Sequence, residues 1–270
     1  MKIFIIGVYP FYKTLVPKNE TIQELLIMDV RKGGVSIRPL GDSALVVQLA
    51  DGIDSMIHKK IIKLVSLIER EPFYGMLEAV PCYNSVTVYY NPIALRKDGD
   101  IEGKNAFEKA SASINCYLKK LDESPIVNKR LIKIPVVYGE RFGPDLEYIA
   151  KYHNITPEKV IELHAKKDYL VYMIGFAPGF PYLGEIDERL ATPRKAKPRP
   201  AIPAGSVGIA GEQTGIYSLE TPGGWQVIGQ TPVDLFTPKA SRPTLLESGD
   251  EIRFVPITED EYFAYKEKNQ

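Results

Sequence analysis

The 270 residues carry 34 basic and 34 acidic side chains, so the formal net charge is zero, and 44% of the residues are hydrophobic. That balance leaves no electrostatic footprint for nucleic acid, and no apolar run reaches the ~20 residues a membrane-spanning helix needs. Cys82 and Cys116 are too few and too far apart for a disulfide framework or a CxxC centre, so reduced thiols in a cytoplasmic protein are expected.

The opening MKIFIIGVYP is briefly apolar, but the run stops at Pro10 without a small-residue cleavage site and is too short for a signal peptide. Residues 1–34 read as an appended, disordered extension ending at the Gly33-Gly34 break, with Met28 as an alternative start. From Ser36 the pattern is clear. SIRPLGDSALVVQLA predicts a strand, a turn and a second strand. Asp54 or Ser55 caps a helix whose Ile57, Ile61, Leu64, Val65 and Ile68 recur at helical spacing and which stops before Pro72. MLEAVP and SVTVYY follow as strands, and Glu102 to Lys120 as a second amphipathic helix. Mixed strands and helices with short connections make residues 35–125 a small α+β domain, ending in the polar link LDESPIVNKR.

Residues 126–270 have a different grain. LIKIPVVYG restarts strand character, Asp145 opens a short helix, and Thr156-Pro157-Glu158 opens another with an N-cap and a Pro at N1. Then come YLVYMIG, SVGIAG, IYSLE, WQVIG, VDLF and EIRFVP, short apolar segments separated by Gly and Pro, followed by a polar terminal helix or frayed tail. Such a series predicts a closed or sandwiched all-β domain. Six prolines lie between Pro178 and Pro203, more than strand connection requires, and they draw a rigid, irregular surface of the kind that carries function.

Several chemistries are missing. There is no GxxxxGK[ST], no HExxH, no GxSxG and no cluster with metal spacing. Three elements remain. His164, at the end of the Thr156 helix, is either a helix-end cation or a general acid–base group facing the GFAPGFPYL loop, whereas His58 and His153 read as exposed structural residues. In TPRKAKPRP, Arg194 and Arg199 sit on a proline-stiffened segment suited to clamping a carboxylate or phosphate. Gln213 and Thr214 offer neutral hydrogen-bonding groups, and Gly223-Gly224 beside Trp225 offers backbone N–H groups for a polarised carbonyl. Tyr182 lies in the adjoining GFPYL segment.

GFAPGFPYL, TPR followed by PR, IPAGSVGIAGEQTGIY and PGGW, in this order, resemble the B component of bacterial 5-oxoprolinase. The same family includes the kinase inhibitor KipI and the first carboxyltransferase half of urea carboxylase, often labelled allophanate hydrolase subunit 1. The likeness runs from about Ile37 to Ile257. It implies a small N-terminal α+β domain and a C-terminal cyclophilin-like β-barrel. It also implies two partners, a homologous C component with a cyclophilin-like barrel and a third, A component, and ATP-driven opening of 5-oxo-L-proline to L-glutamate. The implied roles are His164 as proton shuttle, Arg194 or Arg199 as anion clamp, and Gln213, Thr214, Gly223, Gly224 and Tyr182 around the lactam. Other members of the family inhibit a sporulation histidine kinase or act as half of a urea/allophanate-type carboxyltransferase. A biotin-dependent role is disfavoured by the missing AMKM carrier motif, and prolyl isomerisation rests on barrel analogy alone. Two positions depart from the family pattern: Gln230 stands where relatives place Arg, and Thr237 where they place an acid.

Overall fold

Local signals start the first helix where the sequence puts it. The Asp54 carboxylate accepts hydrogen bonds from the Met56 and Ile57 N–H groups, satisfying donors that the first turn leaves unpaired. The computed structural model describes residues 34–99, 101–121 and 130–268. The expected extension over residues 1–34 therefore lies outside the described residues except for Gly34, as does most of the polar link. The described residues divide into two units, 34–121 and 130–268.

In the first unit β1 (Ser36–Pro39), β2 (Ala44–Gln48), β3 (Met76–Pro81) and β4 (Ser85–Tyr90) form an antiparallel sheet of order β1-β2-β4-β3. Helix α1 (Ser55–Arg70) contributes Ile61, Leu64 and Ile68 to one core with Leu45, Val47, Val86 and Val88 of the sheet. Each wholly buried Leu or Ile there contributes roughly 1.5–3 kcal/mol. The short helix α2 (Pro92–Lys97) precedes α3 (Ala106–Lys120), which adds Ala110 and Ile114 to that core. α3 starts four residues later than expected. Asn105 Oδ1 accepts from Glu108 N–H while the Glu108 carboxylate accepts from Lys104 N–H, a reciprocal cap that fixes the start. His58, expected to be exposed, is fully buried on α1, with Nδ1 3.3 Å from the Tyr83 carbonyl oxygen. Ile57 before it is only partly buried and Lys59 after it is exposed, so its neighbours along the chain do not announce its burial.

The second unit closes a seven-stranded barrel. Its strands are β5 (Leu131–Tyr138), β6 (Asp168–Ile174), β7 (Pro181–Leu183), β9 (Ser206–Ala210), β10 (Gln213–Ile216), β12 (Gln226–Gln230) and β13 (Glu251–Pro256), in the order β10-β7-β6-β13-β5-β12-β9. Only the β5–β13 pair is parallel. Closure removes the open edges that expose unpaired backbone groups. Helices α4 (Leu146–Tyr152) and α5 (Pro157–Ala165) add Leu146, Ile149, Val160 and Leu163 to the core that Val136, Val171, Ile209, Ile228 and Phe254 form. A separate ribbon, β8 (Arg199–Ile202) with β11 (Thr221–Gly223), lies outside the closed sheet order. The chain ends in α6 (Glu259–Lys268), whose Tyr262 packs on Phe142 and Val137.

Two expected strands are absent. IYSLE gives way to Gln213–Ile216, because Ala210 pairs with Gln213 across a two-residue Gly211-Glu212 turn and the hairpin ends at Ile216. Gly211 has φ +60, which suits glycine in such a turn. VDLF, bracketed by Pro232 and Pro238, makes only an isolated bridge, Phe236 to Thr244.

Candidate functional site

Strand β10 separates two environments, because successive side chains point to opposite faces. Thr214 turns toward His164, while Gly215 turns toward Phe180 and Trp225. The same alternation puts Ile209 and Ile228 in the main core but Ala210 and Val227 in a second, aromatic cluster.

On the inner side His164 is wholly buried. Its ring stacks on Phe254 at 4.4 Å between centroids. Thr214 Oγ1 donates to the Gly208 carbonyl at 3.0 Å, so its lone pairs accept from His164 Nε2–H at 2.9 Å. Nδ1 is then the acceptor for the Tyr138 hydroxyl, also at 2.9 Å. Burial drives the His164 pKa from its ordinary 6.5 down to about 3, and burial raises the Tyr138 hydroxyl well above its ordinary range. The result is a neutral imidazole with both nitrogens engaged, tying β5 to the non-adjacent β10. It does not present itself to the GFAPGFPYL loop, and a group with no free lone pair or accessible proton is poorly placed to shuttle one. His153, which read as exposed, is only partly so; Nε2 lies 3.0 Å from Thr192 Oγ1.

On the outer side Phe180 meets Trp225 at 5.5 Å, Tyr217 at 5.3 Å and Tyr182 at 4.9 Å, mostly edge to face. Gly215 makes this packing possible: a Cβ there would lie 3.0 Å from both Phe180 and Trp225 ring atoms. Gly223 is fixed by the same cluster, since a Cβ on it would run into the Tyr217 hydroxyl oxygen. Burial raises the Tyr217 pKa to about 12. The Gly224 carbonyl accepts from Lys195 N–H at 2.7 Å. The need for glycine at Gly223 is thus steric. Gln213, at the start of β10, is half-buried and pairs with Ala210.

The basic loop departs furthest from expectation. Asp145 reads as a helix cap in the sequence, yet its side chain makes no capping hydrogen bond to α4. Instead the buried carboxylate accepts from Arg199 Nη1 at 2.6 Å and Nη2 at 2.9 Å, from Lys195 Nζ at 2.8 Å and from Val227 N–H at 2.7 Å. Burial pushes its pKa up, but the bonds from Arg199, Lys195 and Val227 outweigh burial and hold it below the usual carboxylate range. Arg199 is therefore engaged inside the protein. Arg194 is not: it is exposed, pairs with no carboxylate among the described residues, and lies 5.9 Å above the Trp225 ring. Gln230 donates from Nε2 to the Ala204 carbonyl at 2.7 Å.

The structure therefore brings Arg194 and Tyr182 to Trp225, sets Gly223 against Tyr217 of the same cluster and joins His164 to Thr214, but it puts the two groups on opposite faces of β10. Asp145 is the residue that sequence reasoning missed. The available signal was charge: Lys195 and Arg199, on a loop stiffened by prolines, call for a counter-ion. Among the described residues no group of three or more His, Cys, Asp or Glu could hold a metal ion, and no helix is long and apolar enough to cross a membrane.

Residues 35–246 match the family described as carboxyltransferase domain, subdomain C and D, and the chain belongs to that family. It is 46% identical to the B component of 5-oxoprolinase from Bacillus subtilis (strain 168), over 86% of this chain and 97% of that protein. With the B component of 5-oxoprolinase from Escherichia coli O157:H7 the identity is 42%, over 82% of this chain and 95% of that one. Among solved structures, the crystal structure of TTHA0988 is similar at 34% identity with a TM-score of 0.66 over 80% of this chain, which spans 40% of that longer one.

Proposed function

We propose that this chain is the B component of an ATP-dependent 5-oxoprolinase, working with a homologous C component and a third, A component to open 5-oxo-L-proline to L-glutamate. One observation carries the reading: the identity to the Bacillus subtilis protein runs over 97% of that protein's length, so no part of it lacks a counterpart large enough to hold a separate activity. In this reading the second unit is the family's cyclophilin-like barrel, residues 35–125 are its small α+β domain, and the cytoplasm is its compartment.

The chemistry divides the labour. A five-membered lactam is resonance-stabilised and a poor electrophile, so its opening needs an activated carbonyl, which accounts for the ATP. The basic loop does not fit a triphosphate. In the basic loop Lys195 and Arg199 are both held by the single Asp145 carboxylate, which leaves Arg194 and Lys197 outside that tie to meet about four phosphate charges. We therefore assign no ATP step to this chain and place nucleotide chemistry with the partner proteins. The part left to this chain is to hold the anionic lactam at the exposed Arg194 of the basic loop. His164 and Thr214 serve that part indirectly, as the polar tie that keeps β10 in register.

The test is co-expression with the C and A components, purification of the complex, and measurement of ADP formation with and without 5-oxoproline. Substrate-dependent ADP formation is the expected result. An intact three-part complex with no such dependence refutes the reading.

A further inference from the structure

The arginine that carries no counter-ion in the basic loop is held in place from both sides. Gln226 Nε2 donates to the carbonyl of Pro193 at 2.9 Å, and the N–H of Lys195 donates to the carbonyl of Gly224 at 2.7 Å. The residues immediately before and after Arg194 are thus bonded to the residues immediately after and before Trp225. That stitching sets the guanidinium above the indole, a geometry that a merely solvated arginine has no reason to keep. A few residues on, the Asp145 carboxylate takes Lys195 and Arg199 together and fastens the same loop to the first residues of β12 through Val227 N–H. Arg199 also pairs with Gly223 across the β8–β11 ribbon. Two of the loop's cations are consumed in fixing its shape, and Arg194 is what that fixed shape displays.

We propose that Arg194, exposed over the buried Trp225, is the group of this chain that recognises the carboxylate of a small cyclic acid, and that Asp145 is the residue that positions it. The inference rests on the 5-oxoproline reading for the identity of the acid. An arginine meets a carboxylate through two parallel N–H donors, and Arg194 presents them on an exposed guanidinium whose inner side rests over the buried Trp225 ring. Arg199, the other candidate clamp, is excluded from this task by the company it keeps. Freeing it would take the two-pronged guanidinium contact from a buried carboxylate and leave only Lys195 and the Val227 N–H, a costly exchange for binding a ligand. The neutral Gln230 needs no anion either, because its amide is bonded to Ala204.

The test uses the three-part complex and steady-state kinetics in 5-oxoproline. Arg194→Gln is expected to raise KM on the order of tenfold or more, the scale of a lost charge-assisted hydrogen bond, with kcat held within about twofold. Arg194→Lys is expected to recover part of the loss, since an ammonium keeps the charge without the fork. Asp145→Asn is expected to raise KM as well and to make Trp225, the single tryptophan, more accessible to acrylamide quenching as the loop loosens. If Asp145 acts through Arg194, the double variant D145N/R194Q is no worse in KM than R194Q alone. Lys195→Gln, which removes one donor and leaves the carboxylate on Arg199, repeats the test with a milder lesion. An R194Q complex whose KM stays within about twofold of wild type overturns the site while leaving the function standing. Additive losses in the double variant overturn the positioning role of Asp145. A wild-type complex with no 5-oxoproline-dependent turnover overturns the site and the function together.

Discussion

Replacing His164 by Gln separates a structural imidazole from a chemical one. A glutamine amide can accept from the Tyr138 hydroxyl and donate to Thr214, but it does not titrate. In the unfolded chain the imidazole takes up a proton near pH 6.5, whereas inside the barrel burial delays this to about pH 3. Acid therefore favours the unfolded chain. The contribution of neutral His164 is complete above about pH 6.5, is lost progressively as pH falls toward 3, and changes no further below that. At 1.36 kcal/mol per pKa unit, wild type should lose roughly 2 kcal/mol between about pH 6.5 and 4.5 that H164Q does not lose. Urea unfolding followed by Trp225 fluorescence reads the barrel alone, because the only tryptophan lies there. Titration of the carboxylates and of His153 is common to both proteins and cancels in the difference. At neutral pH the variant should be the less stable by about 1–3 kcal/mol, since an amide does not fill the stack on Phe254. Parallel pH slopes for the two proteins would refute the argument, for they would mean that the folded protein protonates His164 as readily as the unfolded one.

Gly143→Ala drives a methyl into the Ile228 carbonyl oxygen, a backbone atom of β12 that cannot step aside cheaply. A loss of about 1–3 kcal/mol or more is expected in thermal or urea unfolding, and an unchanged midpoint would contradict the close approach. Gly223→Ala drives a Cβ against the Tyr217 hydroxyl and should cost about as much. Because the oxygen is the offending atom, adding Tyr217→Phe should restore part of the melting temperature, and no restoration would place the clash elsewhere.

What the sequence made legible was local. The Asp54 cap, the apolar stripe Ile61, Leu64, Ile68 and the Pro157 helix start all act within a few residues, so each could be read before the fold was known. The strands MLEAVP and SVTVYY likewise carry their own pattern and are observed as Met76–Pro81 and Ser85–Tyr90. VDLF has strand composition too, but no neighbouring strand receives it beyond the single bridge at Phe236, and composition cannot report a missing partner. His58 shows the same limit from the other side. Its burial comes from tertiary packing that brings the Tyr83 carbonyl, 25 residues away, to its Nδ1, and not from the residues flanking it.

The candidate site was legible as chemistry and illegible as geometry. TPRKAKPRP announces cations on a stiff segment, and two guanidinium clamps were the natural reading. Their different fates follow from a carboxylate 54 residues away from Arg199 in the chain. Asp145 occupies a helix N-cap position, where an aspartate has a sufficient local reason to be, and that local sufficiency hid the long-range one. Its backbone N–H bonds the Val227 carbonyl while its side chain accepts from the Val227 N–H, so the residue is fastened to β12 at both ends. A side chain so held cannot swing back to cap α4, and the helix start goes uncapped to keep the loop shaped. The sacrifice is on the order of 1 kcal/mol of capping energy, set against a buried carboxylate that would otherwise need its charge satisfied by other means. Gln230 raises no such demand: its neutral amide is bonded to the Ala204 carbonyl and needs no counter-ion.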